Sequence, residues 1–259
     1  MRSRALDGRA PNAPDWLTAR PIAHRGLHSK QSGLVENTPA AAAAAIAKNY
    51  AIECDVQLTR DGDAAVFHDF TLERLMRAEG RVDAFRAHEL GQLTYKDCDQ
   101  RIVSLRDFLI RIGGRAPVIV ELKSRYDGDM RLADRVMATV ADYAGPVCLK
   151  SFDPAVLVHL RGAGAQCPLG LVAVARYDTS KEWAGLPQDL RASFAELTDF
   201  PRARPDFLSW NLADLPHAVP MLCRQGIGMP VMTWTARSPD VLPRARLWAD
   251  QIIFEGFEP

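Results

Sequence analysis

Glu53 and Asp55 flank Cys54 within the apolar run Ala51 to Leu58. Side chains alternate along a strand, so both carboxylates project from one face and Cys54 from the other. The same spacing recurs in Glu121-Leu122-Lys123, where Val118, Ile119 and Val120 lead into two charges on a shared face. Glu53, Asp55 and Glu121 form a hard, all-oxygen set suited to one divalent cation, Mg2+ or Ca2+, whereas zinc usually takes histidine or cysteine as well. His24 and His68 each close a short apolar run. An unperturbed imidazole titrates at about 6.5, so this pair offers a general acid and a general base. Arg25 beside His24 and Lys123 beside Glu121 bring positive charge into the acidic cluster. Carboxylates with a divalent cation, two histidines and two cations describe a site for a phosphate ester, whose non-bridging oxygens need their charge neutralised. His28, His88, His159 and His217 follow no strand-end pattern and read as structural or surface residues.

These side chains need a scaffold that brings strand ends together. Short apolar, β-branched runs recur at Pro21 to His24, Ala51 to Leu58, Val118 to Lys123, Val147 to Phe152, Leu169 to Val174, Asp206 to Trp210, Pro230 to Trp234 and Gln251 to Phe254. Helical patterns separate them. Alternation of that kind calls for a parallel sheet, and eight units over this length predict an α/β fold, a closed (β/α)8 TIM barrel. An open doubly wound sheet is the competing fold, but Ala23-His24-Arg25-Gly26 lacks its glycine-rich turn. Barrels carry their sites at the C-terminal mouth, where these strand-end charges would meet.

The second and third parallel strands lie about twice the usual βα spacing apart. Thr59-Arg60-Asp61-Gly62-Asp63 carries a hairpin turn signal, and Ala64 to Phe67 reads as the returning strand ending at His68 and Asp69. Phe70 to Asp99 turns polar and charged, which predicts a small insertion, about residues 70–100, lying over one mouth of the barrel within a single domain, 1–259. Thr38 as N-cap, Pro39 at the first helical position and the alanines of 40–45 predict a well-defined first helix that packs closely.

The 259 residues carry 32 Lys+Arg against 32 Asp+Glu, which argues against a nucleic-acid partner, since no net charge attracts a polyanion. No run is apolar and long enough to span a membrane, and Met1 to Trp16 shows no apolar core of a secretion signal, so the chain reads as cytoplasmic with no stable membrane anchor. Cys54, Cys98, Cys148, Cys167 and Cys223 form no Cys-x-x-Cys pair and read as reduced core residues. Oligomeric state is not legible.

His24-Arg25-Gly26, Glu36-Asn37-Thr38, Glu53-Cys54-Asp55-Val56, Thr59-Arg60-Asp61-Gly62, His68-Asp69 with Thr71-Leu72 and Arg74, and Glu121-Leu122-Lys123 occur in this order. In order and spacing they resemble the glycerophosphodiester phosphodiesterases, densely over about 22 to 124 and more weakly through Ser151-Phe152-Asp153 and Thr233-Trp234-Thr235. The resemblance implies a (β/α)8 barrel with an insertion after the hairpin, one bound divalent cation, and hydrolysis of a small-molecule glycerophosphodiester to glycerol 3-phosphate and an alcohol. By position it places metal ligands on Glu53, Asp55 and Glu121, and catalytic histidines on His24 (acid) and His68 (base). It places substrate contacts on Arg25, Lys123 and Trp234, the last beside the glycerol. The implied nucleophile is the glycerol 2-hydroxyl, with water as the alternative, and Glu36 and Asn37 are expected to position the loop after His24.

Three departures stand out: Val35 in place of a usual proline, Leu75 and Met76 in place of threonines, and the ending Phe254-Glu255-Gly256-Phe257. The last two are expected near the alcohol half of the substrate. Two other activities fit the same residues. One is a lysophospholipase D whose apolar entrance is lined by Leu75, Met76, Phe85 and Leu90. The other is a catalytically silent phosphate-binding barrel.

Overall fold

All eight apolar runs form strands in the computed structural model, which describes residues 13–178, 183 and 186–259. Residues 1–12, most of the stretch read above for a secretion signal, lie outside the described residues. The strands are β1 (Ile22–Ala23), β2 (Ala51–Leu58), β3 (Ala64–Val66), β4 (Val118–Leu122), β5 (Val147–Ser151), β6 (Leu169–Ala173), β7 (Phe207–Asn211), β8 (Val231–Ala236) and β9 (Gln251–Phe254). Parallel pairing runs from β2 through β4, β5, β6, β7, β8 and β9 to β1, and β1 pairs back onto β2, so the sheet closes. The predicted (β/α)8 barrel is therefore the observed fold. The ninth strand, β3, returns antiparallel along the end of β2 after the Asp61-Gly62 turn, where Gly62 has φ 81°. None of the described helices is long and apolar enough to cross a membrane.

Alternation along the strands divides the barrel into two chemistries. Outward residues such as Ile52, Cys54, Val118, Val120, Leu149 and Leu208 join one large apolar cluster with the helices. Helix Leu105–Ile112 shows how the sequence meets that cluster: Leu105, Phe108, Leu109 and Ile112 repeat on one helical face, and all are buried. Inward residues near the strand starts, Ile22, Ala51, Ile119, Cys148, Phe207, Met232 and Ile253, form a separate apolar layer onto which Leu17 packs. Two residues further along β2, β4 and β5, the inward positions are Glu53, Glu121 and Lys150, all buried. The barrel thus has an apolar floor and a charged storey above it.

The insertion departs from the polar excursion expected. Leu72, Met76, Val82, Leu90, Tyr95 and Ile102 bury themselves with Ala65 and Phe67 in a small core of their own. Their spacing follows no helical or strand period, because short turns, the α-helical turn Ala87–Leu90 and isolated bridges such as Met76–Tyr95 gather them. Met76 and Leu90 consequently line no apolar entrance, while Leu75 and Phe85 pack partly buried against the same core. Met76 is also shielded from any contact with the alcohol half of a substrate. The cysteines are all free, with Cys54, Cys148 and Cys223 buried.

Inside the floor, Gly170 on β6 makes room for a neighbour: a Cβ there would fall 2.2 Å from Cε2 and Cζ of Phe207. Gly170→Ala should therefore lower stability by about 1–3 kcal/mol, the usual cost of overpacking a core. Chemical denaturation checks this. Gly170→Ala combined with Phe207→Leu should lose less than the two single losses added together, since the smaller ring relieves the clash.

Candidate active site

β1 delivers the first site residues. His24 N–H donates to Phe254 O at 2.9 Å, which fixes the residue to the end of β9. The chain then turns through two left-handed residues, Arg25 (φ 57°) and Gly26 (φ 79°). In that turn the Arg25 N–H donates to Glu53 Oε2 at 3.0 Å, and the Gly26 N–H to Glu53 O at 3.1 Å. Glycine is needed at 26 for reach as well as φ, because a Cβ would lie 2.9 Å from the carbonyl carbon and Cβ of Ala41. Ala41 belongs to α1 (Pro39–Ala47), started as expected by Thr38, whose Oγ1 accepts from Ala41 N–H. Asn37, just before that cap, tolerates φ 58° and clasps Asp55: Nδ2 donates to Asp55 Oδ2 at 2.9 Å, and Oδ1 accepts from Asp55 N–H at 3.1 Å.

Glu53, Asp55 and Glu121 meet as the strand pattern requires. One carboxylate oxygen from each lies within 4.8 Å of the others, and all three residues are buried. Three buried carboxylates this close repel one another, and the structure answers with cations. Lys123 Nζ lies 2.9 Å from Asp55 Oδ1 and also contacts Glu121 Oε1. Arg25 Nε is 3.4 Å from Asp55 Oδ2, while its Nη1 donates to Glu36 at 2.6 Å. Burial opposes ionisation of Asp55, yet the charges of Lys123, His68 and Arg25 hold its carboxyl well below the usual carboxylate range. Glu121, also opposed by burial, is held at about 2 by Lys123 and Lys150. Oxygen-only and convergent, the three carboxylates fit a hard divalent cation.

Both histidines carry a carboxylate at Nδ1. His24 Nδ1 is 2.7 Å from Glu255 Oε2, and His68 Nδ1 is 2.6 Å from Asp69 Oδ1. Such a partner fixes the ring and its tautomer and leaves Nε2 as the nitrogen available for proton transfer. His68 is itself held to β2: Phe67 N–H donates to Asp55 O at 3.0 Å, and Gln57 Nε2 donates to His68 O at 2.7 Å. Asp69 is tied in turn to Arg74 (Nε to Oδ2, 2.5 Å), and Arg74 reaches Glu36 at 2.7 and 2.9 Å.

The structure thus brings His24, His68, Arg25, Glu53, Asp55, Glu121 and Lys123 to one mouth. Trp234 stands on β8 across the barrel, half-buried, with its indole N–H donating to Ser209 O at 3.1 Å and its ring edge-on to Phe152. Two residues outside the set expected from sequence complete the arrangement. Lys150, a charged residue inside the apolar run Val147 to Phe152, points inward beside Glu121, its register partner on β4. Glu255, after the last strand, holds His24, because β9 pairs with β1 and ends next to it. Of the remaining histidines, His159 pairs with Asp134 and His217 stacks on Trp210.

A closed α/β barrel whose mouth gathers a carboxylate cluster and two histidines, each paired to a carboxylate, has groups that could hold a cation and move protons. The chain belongs to the glycerophosphoryl diester phosphodiesterase family, whose model matches residues 24–254. A curated relative, the glycerophosphodiester phosphodiesterase of Caldanaerobacter subterraneus, is 29% identical over 161 residues, 58% of this chain; the match spans 65% of that relative's length. Among solved structures, an Oleispira antarctica phosphodiesterase in complex with the product sn-glycerol-3-phosphate superposes with a TM-score of 0.73 at 18% identity, covering 90% of this chain and 91% of that one. A glycerophosphodiester phosphodiesterase from Thermotoga maritima gives 0.67 at 21% identity, covering 90% and 92%. At these identities the solved structures establish the shared fold.

The Glu255–His24 contact predicts a pH effect. The hydrogen bond from His24, despite opposing burial, lowers the Glu255 carboxyl from 4.5 to about 2. A depressed folded-state value means the contact stabilises fully above about pH 4.5 and loses its contribution as pH falls toward about 2. Wild type should exceed Glu255→Gln in stability at neutral pH, and the gap should close across that acid window. Urea unfolding of both proteins at a series of pH values measures it.

Proposed function

We propose that the chain hydrolyses glycerophosphodiesters to glycerol 3-phosphate and an alcohol, using a divalent cation and the two histidines. The observation that carries this reading is the convergence of Glu53, Asp55 and Glu121 at the mouth that also holds His24 and His68, each histidine with its own carboxylate. The solved Oleispira relative, captured with sn-glycerol-3-phosphate, supports the product side. We read the chain as a single domain, with the 70–100 insertion at the mouth of its barrel.

Glu53, Asp55 and Glu121 would hold the cation, Mg2+ or Ca2+ by the hardness of the donors. When bound, it polarises the phosphoryl group and neutralises charge on its oxygens. Arg25 and Lys123 add fixed positive charge at the same place. Trp234 supplies an apolar wall for the glycerol carbons on the β8 side. Beyond Lys123 a cavity of about 260 Å³ is lined by Gln57, Thr59, Phe70, Asp83 and Arg125. His68 takes the proton from the glycerol 2-hydroxyl as that oxygen attacks phosphorus, and His24 protonates the departing alcohol oxygen. The cyclic phosphate so formed is opened by water, with the two histidines exchanging roles. Glu255 and Asp69 keep each ring oriented through both steps.

Activity on a panel of glycerophosphodiesters should vanish with chelator and return with Mg2+ or Ca2+; full turnover after exhaustive chelation removes the cation from the reaction. His24→Ala and His68→Ala should each lower kcat by about 10²-fold or more with the fold intact. Wild-type turnover in either variant takes that histidine out of the mechanism.

Glu121→Gln and Lys123→Met separate two neighbours on one strand. The first should weaken cation binding and recover partly at high metal concentration. The second should slow turnover without such rescue, because it loses charge stabilisation of the transition state. The opposite pattern of rescue would reverse their assigned roles.

A further inference from the structure

Lys150 is the most deeply buried cation of the site, with its side chain 3% exposed. Its Nζ stands 3.0 Å from Glu53 Oε1 and 3.0 Å from Glu121 Oε2. Lys123 takes the other oxygen of Glu121 and one of Asp55, and is more exposed, at 12%. Register explains the difference. Lys150 pairs level with Glu121 in the sheet, whereas Lys123 lies two residues further along, past the end of β4. Lys150 therefore faces the carboxylates from within the barrel wall, and Lys123 faces them from the mouth, where a substrate phosphate arrives.

A buried ammonium loses its hydration and persists only where carboxylates offset that loss. Glu53 and Glu121 do so here, and the three partners hold one another in place. The consequence for a second cation is electrostatic. A positive charge fixed against two of three ligands weakens the pull of the cluster on any divalent ion, while keeping the carboxylates convergent before the ion arrives.

We propose that Lys150 is a permanent counter-cation of the site: a positioning residue that holds Glu53 and Glu121 ready and sets divalent-cation affinity below what the three carboxylates alone would give. The proposal rests on the reading of Glu53, Asp55 and Glu121 as cation ligands. It predicts that losing the ammonium makes the protein less stable without metal and a tighter binder of metal.

Lys150→Met keeps the length and apolar stem of the side chain and removes the charge. Titration calorimetry with Mg2+, and separately with Ca2+, should show a Kd at least about tenfold lower in the variant than in wild type, since one full repelling charge is gone. The melting temperature without metal should fall, and saturating Mg2+ should raise it more in the variant than in wild type. A merely structural lysine would lower the melting temperature in both states and leave Kd unmoved. If Lys150→Met does not fold without metal, Lys150→Gln keeps a donor toward the carboxylates without the charge and carries the same titration. Wild-type binding with an unchanged or weaker variant overturns the role of Lys150 and leaves the cation site standing. If neither protein binds Mg2+ or Ca2+, the cation site itself falls, and this proposal with it.

Discussion

Three carboxylates buried inside a closed barrel, with oxygens within 4.8 Å of one another, set the constraint that the rest of the structure meets. Their repulsion and lost hydration are offset by three cations drawn from three separate places: Arg25 after β1, Lys123 after β4 and Lys150 on β5. Backbone geometry contributes as well. The left-handed turn at Arg25 and Gly26 aims an N–H at Glu53, and left-handed Asn37 clasps Asp55 with both ends of its amide. These contacts reach the cluster from the barrel wall and from the loops at its mouth, and Glu53 Oε1 keeps only its ion pair with Lys150.

From that cluster a chain of polar contacts leads outward to the insertion. Arg25 meets Glu36, Glu36 meets Arg74, Arg74 meets Asp69, and Asp69 holds His68. Arg74 comes from the insertion, whose small core of Leu72, Met76, Val82, Leu90 and Tyr95 gives it a firm base. The segment thus orients one histidine, and the other is oriented from the opposite direction by Glu255 at the end of the last strand. Closure of the barrel is what makes this possible, because β9 and β1 become neighbours only when the ring is complete.

The apolar floor and the charged storey depend on the same alternation. Cys148 and Lys150 share the inward face of β5, one in the floor and the other among carboxylates. A single residue of slip in β5 would turn Lys150 toward the helices and leave Glu53 and Glu121 without their shared counter-charge. Packing in the floor therefore guards the register that the site needs, and the absence of a Cβ at Gly170 lets Phe207 complete that floor.

Much of this was legible in the sequence. Period-two alternation placed Glu53 and Asp55, then Glu121 and Lys123, on shared faces, and the eight spaced runs specified a barrel whose strand ends converge, because both signals are local and repeat. The Thr38-Pro39 start of α1 and the Asp61-Gly62 turn were equally local. The insertion core was not legible, since its apolar residues follow no single period and meet through turns. Nor were Lys150 and Glu255: a lone lysine in an apolar strand and a glutamate after the last strand gain meaning only from their neighbours. Those neighbours are set by strand pairing across the sheet, Lys150 beside Glu121 and Glu255 beside His24 at a separation of 231 residues. Residue type and local spacing determined which groups this protein can bring to its mouth; ring closure and register decided which of them touch, because contacts between distant segments are written in no single stretch of chain.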